Sequence, residues 1–270
     1  MKTITECISK RRSVRTYNGS NIDNETLERL MNFSKTITNP FDIAIDFKLL
    51  NAIEHGLNCP VISGTQQYIG GKVKYQKYAN AAYGYSLQSL LLYAEALSLG
   101  TLWLGGTMNR AAYEKAMLLK DGEIMPCAAA IGYPSGKQSL RETMMRRAIK
   151  ADDRMAFSEL FFHNDFNSPL SKENAGKLLQ PLEMVRLAPS AVNRQPWRVV
   201  LKDNTAHFYI NRSKPAKTQL DMQMVDMGIA LCHFELTAKE LGLNIIFSTN
   251  EPNIDNNGNY EFLGSWKIIS

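Results

Sequence analysis

The sequence predicts an α+β fold in which two related halves pack together as one unit. Apolar residues at helical spacing alternate with short apolar runs typical of buried strands. The sequence predicts two long apolar helices, and each is followed directly by a glycine. These helices are Gln76–Leu99 and Gln219–Leu241. The order of motifs around the first long helix also recurs around the second. We therefore expect a central mixed or antiparallel sheet flanked by helices, with the two long helices as a central pair.

Local signals place the elements of the first half in order. Thr3 and Glu6 form a capping box, in which a hydroxyl and a carboxylate bond free backbone N–H groups, so a helix begins at Thr3. Asp23 is an N-cap residue before a second helix that runs to about Lys35. Residues Gly56–Gly71 are polar and glycine-bearing, and we expect a loop there. The other predicted elements are a strand at Ile43–Leu50, the helix Gln76–Leu99, a strand at Thr101–Leu104, a helix at Asn109–Leu119 and a buried strand at Met125–Gly132.

Composition excludes several classes of protein. The chain has 270 residues, 44% hydrophobic and 21% charged, which is close to the soluble globular average. The net charge of +5 is small for a nucleic-acid binder. No apolar run approaches the ~20 residues of a membrane span, and the N-terminal residues lack the apolar core of a signal peptide. Four cysteines without paired or metal-like spacing favour reduced thiols, so we expect a cytoplasmic protein with no metal, nucleic-acid or membrane partner.

An internal repeat organises the chain into two half-domains, residues 1–165 and 166–270. In the second half a helix is predicted to begin at Ser171, followed by a proline-aromatic segment, strands and the second long helix. The offset between matched positions varies, which indicates insertions. The matched positions are Pro40 with Pro196, Gly84 with Gly228 and Gly100 with Gly242.

Two segments carry functional groups of complementary chemistry. Arg11–Arg15 (RRSVR) offers permanently charged guanidinium groups, which suit bidentate phosphate contacts. Ala188–Trp197 (APSAVNRQPW) offers hydroxyl and amide groups on a proline-stiffened loop. Asn193 and Gln195 each carry a donor and an acceptor, which can read the imide edge of a flat heterocycle. Together the segments predict a site for an aromatic ring system with a phosphate tail.

These segments, with GTLWLGG after the first long helix, resemble the FMN-dependent nitroreductase family, and in particular its duplicated, single-chain TM nitroreductase-like subgroup. The resemblance implies a nitroreductase-like fold. In two-chain members both segments lie in one short chain, and both subunits build each flavin pocket. Here the arginine segment occurs only in the first half and the PSxxNxQPW segment only in the second. The resemblance therefore implies a fused pseudo-dimer with one composite pocket, one FMN per chain and a monomeric state.

The resemblance also assigns roles residue by residue. The phosphate and ribityl contacts correspond to Arg11, Arg12, Ser13 and Arg15, and the ring contacts to Pro189, Ser190, Asn193 and Gln195. The reactive edge of the flavin corresponds to Trp103, Leu104, Gly105 and Gly106. A late basic residue that holds phosphate corresponds to Arg154, with Arg146, Arg147 and Lys150 as competing candidates. Trp197 is expected in the core, and the methionine-rich stretch Asp221–Met227 is either core lining or part of the substrate pocket. No catalytic side chain is expected, since the flavin carries the chemistry.

The implied activity is an NAD(P)H-linked, two-electron reduction of nitroaromatic or quinone-like acceptors by a ping-pong mechanism, with a small-molecule acceptor as the partner. Other flavin chemistry on the same fold, such as dehydrogenation, dehalogenation or flavin breakdown, is an alternative. A non-catalytic flavin- or nucleotide-binding protein, or a basic nucleic-acid module, is a second alternative. A yellow protein that NAD(P)H bleaches and a nitroaromatic restores would separate the first activity from both.

Overall fold

The computed structural model describes residues 2–137, 139–213, 215–216, 218–255 and 258–269. The helices are α1 (Ile4–Lys10), α2 (Asn24–Ser34), α3 (Ala52–His55), α4 (Ala79–Ala96), α5 (Arg110–Ala116), α6 (Leu140–Ala148), α7 (Phe157–Leu160), α8 (Leu179–Arg186) and α9 (Met222–Glu240). The strands are β1 (Asp46–Asn51), β2 (Gln67–Lys74), β3 (Gly100–Leu104), β4 (Glu123–Ile124), β5 (Ala128–Gly132), β6 (Phe161–His163), β7 (Trp197–Lys202), β8 (Thr205–Ile210), β9 (Ile245–Ser248) and β10 (Glu261–Ile268). No helix among these described residues is both long and apolar enough to cross a membrane.

The chain forms two sheets that share one core topology, and β6, at residues 161–163 of the first half, joins the edge of the sheet that the second half forms. The first has the order β1-β2-β5-β3, with the short β4 paired to β2, and the second has the order β6-β7-β8-β10-β9. Every pairing is antiparallel except that of β6 with β7. β1, β2, β5 and β3 therefore correspond in order to β7, β8, β10 and β9. The predicted α+β class is confirmed, with sheets that are antiparallel or mixed.

Helices α4 and α9 form the predicted central pair. Both are apolar on nearly every face and almost completely buried, as expected for core helices. A Cβ atom on Gly84 would lie 2.0 Å from the Val225 carbonyl oxygen, and one on Gly228 would lie 2.0 Å from the Ala81 carbonyl oxygen. Gly84 thus faces Val225, three positions before Gly228, and Gly228 faces Ala81, three positions before Gly84. This reciprocity places a pseudo-twofold axis at the crossing and supports the pairing of Gly84 with Gly228.

The C-terminal ends of the two central helices show that one predicted pair of equivalent residues in the repeat is wrong. Ser98 and Gly242 both adopt left-handed backbone, at φ 64° and 72°, directly after the C-cap residues. Leu99 and Leu243 then donate equivalent hydrogen bonds back into their helices. The counterpart of Gly242 is therefore Ser98, and the pairing of Gly242 with Gly100 is wrong. The sequence pattern indicates the wrong pair because the first half has serine at this position, whereas the second half has glycine, which adopts left-handed backbone more readily.

The caps at Thr3 and Asp23 form as predicted, whereas several elements differ. Strand β2 occupies part of the expected loop at Gly56–Gly71, since Gly70 and Gly71 leave room for neighbouring side chains that a Cβ atom would hit. Helix α6 lies in a segment for which no element was predicted. The helix expected from Ser171 begins as a 3-10 turn at residues 173–178 and continues as α8.

Candidate functional site

A cleft between the two halves brings both chemistry-bearing segments together. Its larger part has a volume of about 340 Å³, within the ~300–1,000 Å³ typical of ligand pockets. A smaller part of about 80 Å³ shares Ser13, Pro189 and Ser190 with it, so the two are continuous. We call this combined space the cleft. The predicted site residues that line it are Arg11, Arg12, Ser13, Arg15, Trp103, Gly105, Gly106, Arg154, Pro189, Ser190 and Asn193.

The arginine segment reaches the cleft because it is extended and pairs with the edge of the first sheet. Ser13 bridges to Thr101 of β3 in parallel, and the Val14 N–H donates to the Thr101 carbonyl at 3.0 Å. Alternate residues of an extended chain point to opposite sides. Ser13 and Arg15 therefore line the cleft, while Val14 is buried in the core of the first half.

The second segment forms a constrained loop between α8 and β7. Val192, Asn193 and Gln195 have positive φ values of 48°, 56° and 50°. Such backbone is rare for non-glycine residues, especially a β-branched one, and costs about 1–3 kcal/mol per residue. The Ala191 N–H donates to both carboxyl oxygens of Asp226, at 3.0 and 3.1 Å, and the Gln195 N–H donates to Ser190 Oγ at 2.9 Å. These bonds hold the strained loop against the cleft.

Two predicted residues do not reach the cleft. Leu104 is fully buried in the core. The side chain of Gln195 is also buried, where its Oε1 accepts from the Met155 N–H at 2.9 Å and its Nε2 donates to the Asn193 carbonyl. Asn193 lines the smaller part, but its amide donates to the carbonyls of Lys150 and Asp153. Both amides therefore bind the chain's own backbone and fasten the segment that precedes α7.

The smaller part of the cleft forms a cationic end that is short of hydrogen-bond acceptors, and Arg15 adds a further cation in the larger part. Arg11 Nη1, Arg15 Nε and Nη1, and Arg154 Nε are buried without any hydrogen-bond partner. Burial, reinforced by the nearby Arg154 and Arg146 cations and opposed by Glu95, lowers the pKa of Arg11 to about 10. Buried guanidinium N–H groups that lack acceptors are costly, and an anion in the cleft would satisfy them. The residues present therefore fit a phosphate group.

The other arginines near this end already have acidic partners. Arg12 Nη1 lies 3.2 Å from Oε1 of Glu142, whose side chain is only 1% exposed. Arg146 pairs with Asp152. Arg147 and Lys150 line a separate depression on α6 rather than the cleft. Among the competing basic residues, Arg154 thus has the free, inward-facing donor.

A buried hydrogen-bond network fixes Trp103 in the wall of the cleft. Its indole Nε1 donates to Gln88 Oε1 at 3.2 Å, and Gln88 Nε2 lies 2.8 Å from His233 Nε2. His233 Nδ1 lies 2.8 Å from the Met184 carbonyl, which only accepts, so we assign the proton to Nδ1. Burial lowers the pKa of His233 to about 3, which keeps the imidazole neutral. The network spans both central helices and orients the indole.

Comparison of the sequence with known families decides the classification. Residues 3–238 match the family described as "Putative TM nitroreductase". The chain belongs to this nitroreductase family. No curated protein sequence matches it.

One solved structure supports the fold over nearly the whole chain, and others are similar to about half of it. A "putative nitroreductase" of Thermotoga maritima is 20% identical, with a TM-score of 0.64, and the match covers 99% of this chain and 94% of that one. An FMN-dependent nitroreductase of Clostridium difficile is 14% identical, with a TM-score of 0.43, over 49% of this chain and 88% of its own. A "putative nitroreductase" of Desulfovibrio desulfuricans, solved in complex with FMN, is 23% identical, with a TM-score of 0.42, over 53% of this chain and 95% of its own.

The cleft is also lined by residues that the sequence patterns did not assign. Helix α9 contributes Met222, Asp226 and Ile229, and α6 contributes Met145 together with Ile149 just beyond its end. The methionine-rich stretch was one open candidate, and Met222 places it at the cleft. Asp226 could have been found as an acidic residue inside an otherwise apolar helix. No signal pointed to α6, which approaches the cleft only through the tertiary fold.

The pseudo-symmetric counterpart of the cleft is filled by aromatic side chains. The offset that relates Gly84 to Gly228 also relates Tyr78 to Met222 and Phe247 to Trp103. Phe41 stacks on Tyr78 at 4.9 Å between ring centroids and contacts Phe247 edge-on at 5.2 Å. The three rings thus pack at Tyr78 and Phe247, the counterparts of the cleft residues Met222 and Trp103.

Proposed function

We propose that the protein is an FMN-dependent oxidoreductase that uses NAD(P)H to reduce nitroaromatic or quinone-like acceptors by two electrons in a ping-pong mechanism. The observation that carries the proposal is the set of buried guanidinium nitrogens without hydrogen-bond partners along a cleft built by both halves. Membership of the nitroreductase family supports it. The FMN named for two similar structures supports the choice of cofactor.

The two ends of the cleft suit the two ends of FMN. Arg11 and Arg154, which line the smaller part, would hold the phosphate, and Arg15, which lines the larger part, would contact the ribityl chain, because their buried N–H groups lack acceptors. The larger part would take the ring system between Trp103 and the Pro189 loop, since its walls are mostly apolar. When bound, FMN supplies a two-electron carrier that side chains of the protein do not provide.

The chain's own residues then bind, orient and exclude water. The Trp103–Gln88–His233 network keeps one wall rigid. The hydrogen bonds from Ala191 to Asp226 and from Gln195 to Ser190 keep the facing loop in place. Met145 and Ile149 cover the cleft with apolar surface, which strengthens polar interactions inside it. Preorganisation of this kind lowers the cost of binding.

We further propose that residues 1–165 and 166–270 are the two halves and that one FMN binds per chain. The aromatic rings of Phe41, Tyr78 and Phe247 where a second cleft would lie support this stoichiometry. A monomer fits this arrangement, because both helices of the central pair lie in one chain. All four cysteines are buried and free, in keeping with a reducing cytoplasm.

FMN titration followed by flavin fluorescence tests the proposal. We expect Arg154→Ala to weaken FMN binding by about 1.5–3 kcal/mol, the contribution of a hydrogen bond to a charged group, or roughly 10- to 150-fold in Kd. Arg29→Ala, at an exposed position on α2, is the matched control and should leave Kd unchanged. Bleaching by NADH or NADPH and recovery with a nitroaromatic should follow. A purified protein that takes up no FMN would overturn the proposal, and a yellow protein inert to both nicotinamides would favour other flavin chemistry.

A further inference from the structure

Asp226 is a buried carboxyl on the wall of the cleft. Binding and orienting a cofactor do not require an acidic side chain at this position. It is 2% exposed and projects from α9 beside Met222 and Ile229. Both of its oxygens lie near the same donor, the Ala191 N–H, at 3.0 and 3.1 Å. One N–H group leaves further hydrogen-bonding capacity on this carboxyl. No ion pair involves Asp226 in the described part of the chain.

The surroundings of Asp226 favour its neutral form. Burial raises its pKa well above the ordinary value, the Ala191 N–H opposes that shift, and Asp221 on the same helix adds to it. Cys127, just before β5, is a buried thiol near Asp226. Among the described residues, Arg15 is the only cation that lines the larger part of the cleft together with Asp226. A neutral carboxylic acid carries one O–H donor, whereas a carboxylate carries none.

The other half of the chain shows that an acid at this position is not needed for the fold. By the offset that relates Gly84 to Gly228, Ala82 is the counterpart of Asp226. Ala82 is fully buried in α4, on the side where Phe41 and Tyr78 fill the corresponding space. The carboxyl thus occurs at a position that lines the cleft, and a methyl group occurs at the buried counterpart of that position.

We propose that Asp226 is a catalytic residue that donates a proton to the acceptor bound in the cleft. The Asp226 O–H bond breaks, a new O–H bond forms on a carbonyl oxygen of a quinone or an oxygen of a nitro group, and the electron pair stays on the carboxylate. Reduced FMN would supply the acceptor's two electrons together with its second proton, as a hydride, so that a quinone leaves as a hydroquinone and a nitro group loses water and leaves as a nitroso group. The carboxylate regains its proton from water when the product leaves. This inference rests on the proposed function and deepens it, since it selects acceptors that need a proton.

Asp226→Asn separates proton donation from support of the loop. The amide oxygen of asparagine can still accept from the Ala191 N–H, and its size is almost unchanged, but the amide has no transferable proton at neutral pH. Glu235→Gln is the matched control, because Glu235 is a buried acid on the same helix that bonds Tyr85 and lies outside the cleft.

The experiment follows reoxidation of the reduced FMN protein by stopped flow with two acceptors. 1,4-Benzoquinone needs a proton as well as electrons, whereas ferricyanide needs electrons alone. We expect Asp226→Asn to slow reoxidation by benzoquinone ~10²- to 10⁴-fold, the usual scale of general acid catalysis, and to slow reoxidation by ferricyanide far less. Glu235→Gln should leave both rates unchanged.

An independent readout is the infrared band of a protonated carboxyl group, recorded without turnover. Wild type should show this band, and Asp226→Asn should lose it. Equal slowing with both acceptors would show that Asp226 only supports the loop, and an unchanged benzoquinone rate would show that water supplies the proton. Either result would overturn the inference and leave the proposed function intact. A chain without FMN would refute the proposed function instead, and the infrared band would still report the protonation of Asp226.

Discussion

The crossing of α4 and α9 is sensitive to a single methyl group. An alanine Cβ at position 228 would lie 2.0 Å from the Ala81 carbonyl oxygen and 2.7 Å from the Tyr85 nitrogen, both of them backbone atoms. Backbone of a buried helix cannot swing aside as a flexible side chain can, so the two helices must separate by roughly 1 Å. We therefore expect Gly228→Ala to lower the free energy of unfolding.

Two opposing effects decide the magnitude. Overpacking a close-packed core costs about 1–3 kcal/mol, and the backbone clash here points to the upper end. Replacing glycine by alanine inside a helix returns about 0.5–1 kcal/mol. We expect a net loss of about 2 kcal/mol, which for a protein of this size lowers Tm by about 4–8 °C.

Thermal and urea unfolding, followed by circular dichroism, measure this loss. Gly136→Ala is the control, because nothing lies within 4 Å of its Cβ position and its φ is not positive. Gly84→Ala should cost a similar amount by pseudo-symmetry. The double variant should lose less than the sum, since both methyl groups separate the same pair of helices. A Gly228→Ala protein as stable as wild type, or full additivity of the two changes, would refute the reasoning.

Three further predictions concern the site and its surroundings. Gln88→Leu should lower the free energy of unfolding by about 1–3 kcal/mol and shift tryptophan fluorescence, because the Trp103 and His233 nitrogens lose their partner. Gln76→Leu, at an exposed position, serves as the control. Equal stability of the two variants would contradict the network. Burial lowers the pKa of His207 to about 4 from 6.5, so as pH falls through that range the unfolded chain binds a proton that the folded chain does not, and stability decreases. His207→Gln should show a shallower loss of stability over that range in urea titrations, and an identical slope would argue against this cause. Saturation with FMN should end at one equivalent per chain, whereas an end point of two would mean that the Phe41, Tyr78 and Phe247 cluster opens.

Much of the fold was predictable because its signals are local. The caps at Thr3 and Asp23 and the two long apolar helices depend on residues a few positions apart. Strand β2 escaped prediction, since Gly70 and Gly71 have poor strand propensity and are explained only by the side chains packed over them. Ser98 concealed its equivalence to Gly242 because serine gives no sign of left-handed backbone.

The site divides in the same way. Residue chemistry along the chain indicated an anion near Arg11–Arg15 and a partner loop at Ala188–Trp197, and the fold brings both to one cleft. The patterns did not reveal which groups remain free to bind a ligand. Gln195 has the chemistry of a ligand contact, yet its amide binds backbone.

The sequence by itself determined the family, the duplicated plan and the chemical groups available to the site. Only the tertiary structure decided that Arg154 keeps its Nε without a partner while Arg12 faces Glu142, that Asp226 lies on the cleft wall, and that Phe41 stacks on Tyr78 at the opposite position. The physical reason is that each polar group has few hydrogen bonds to give. Whether they serve the chain or a ligand depends on neighbours far away in sequence.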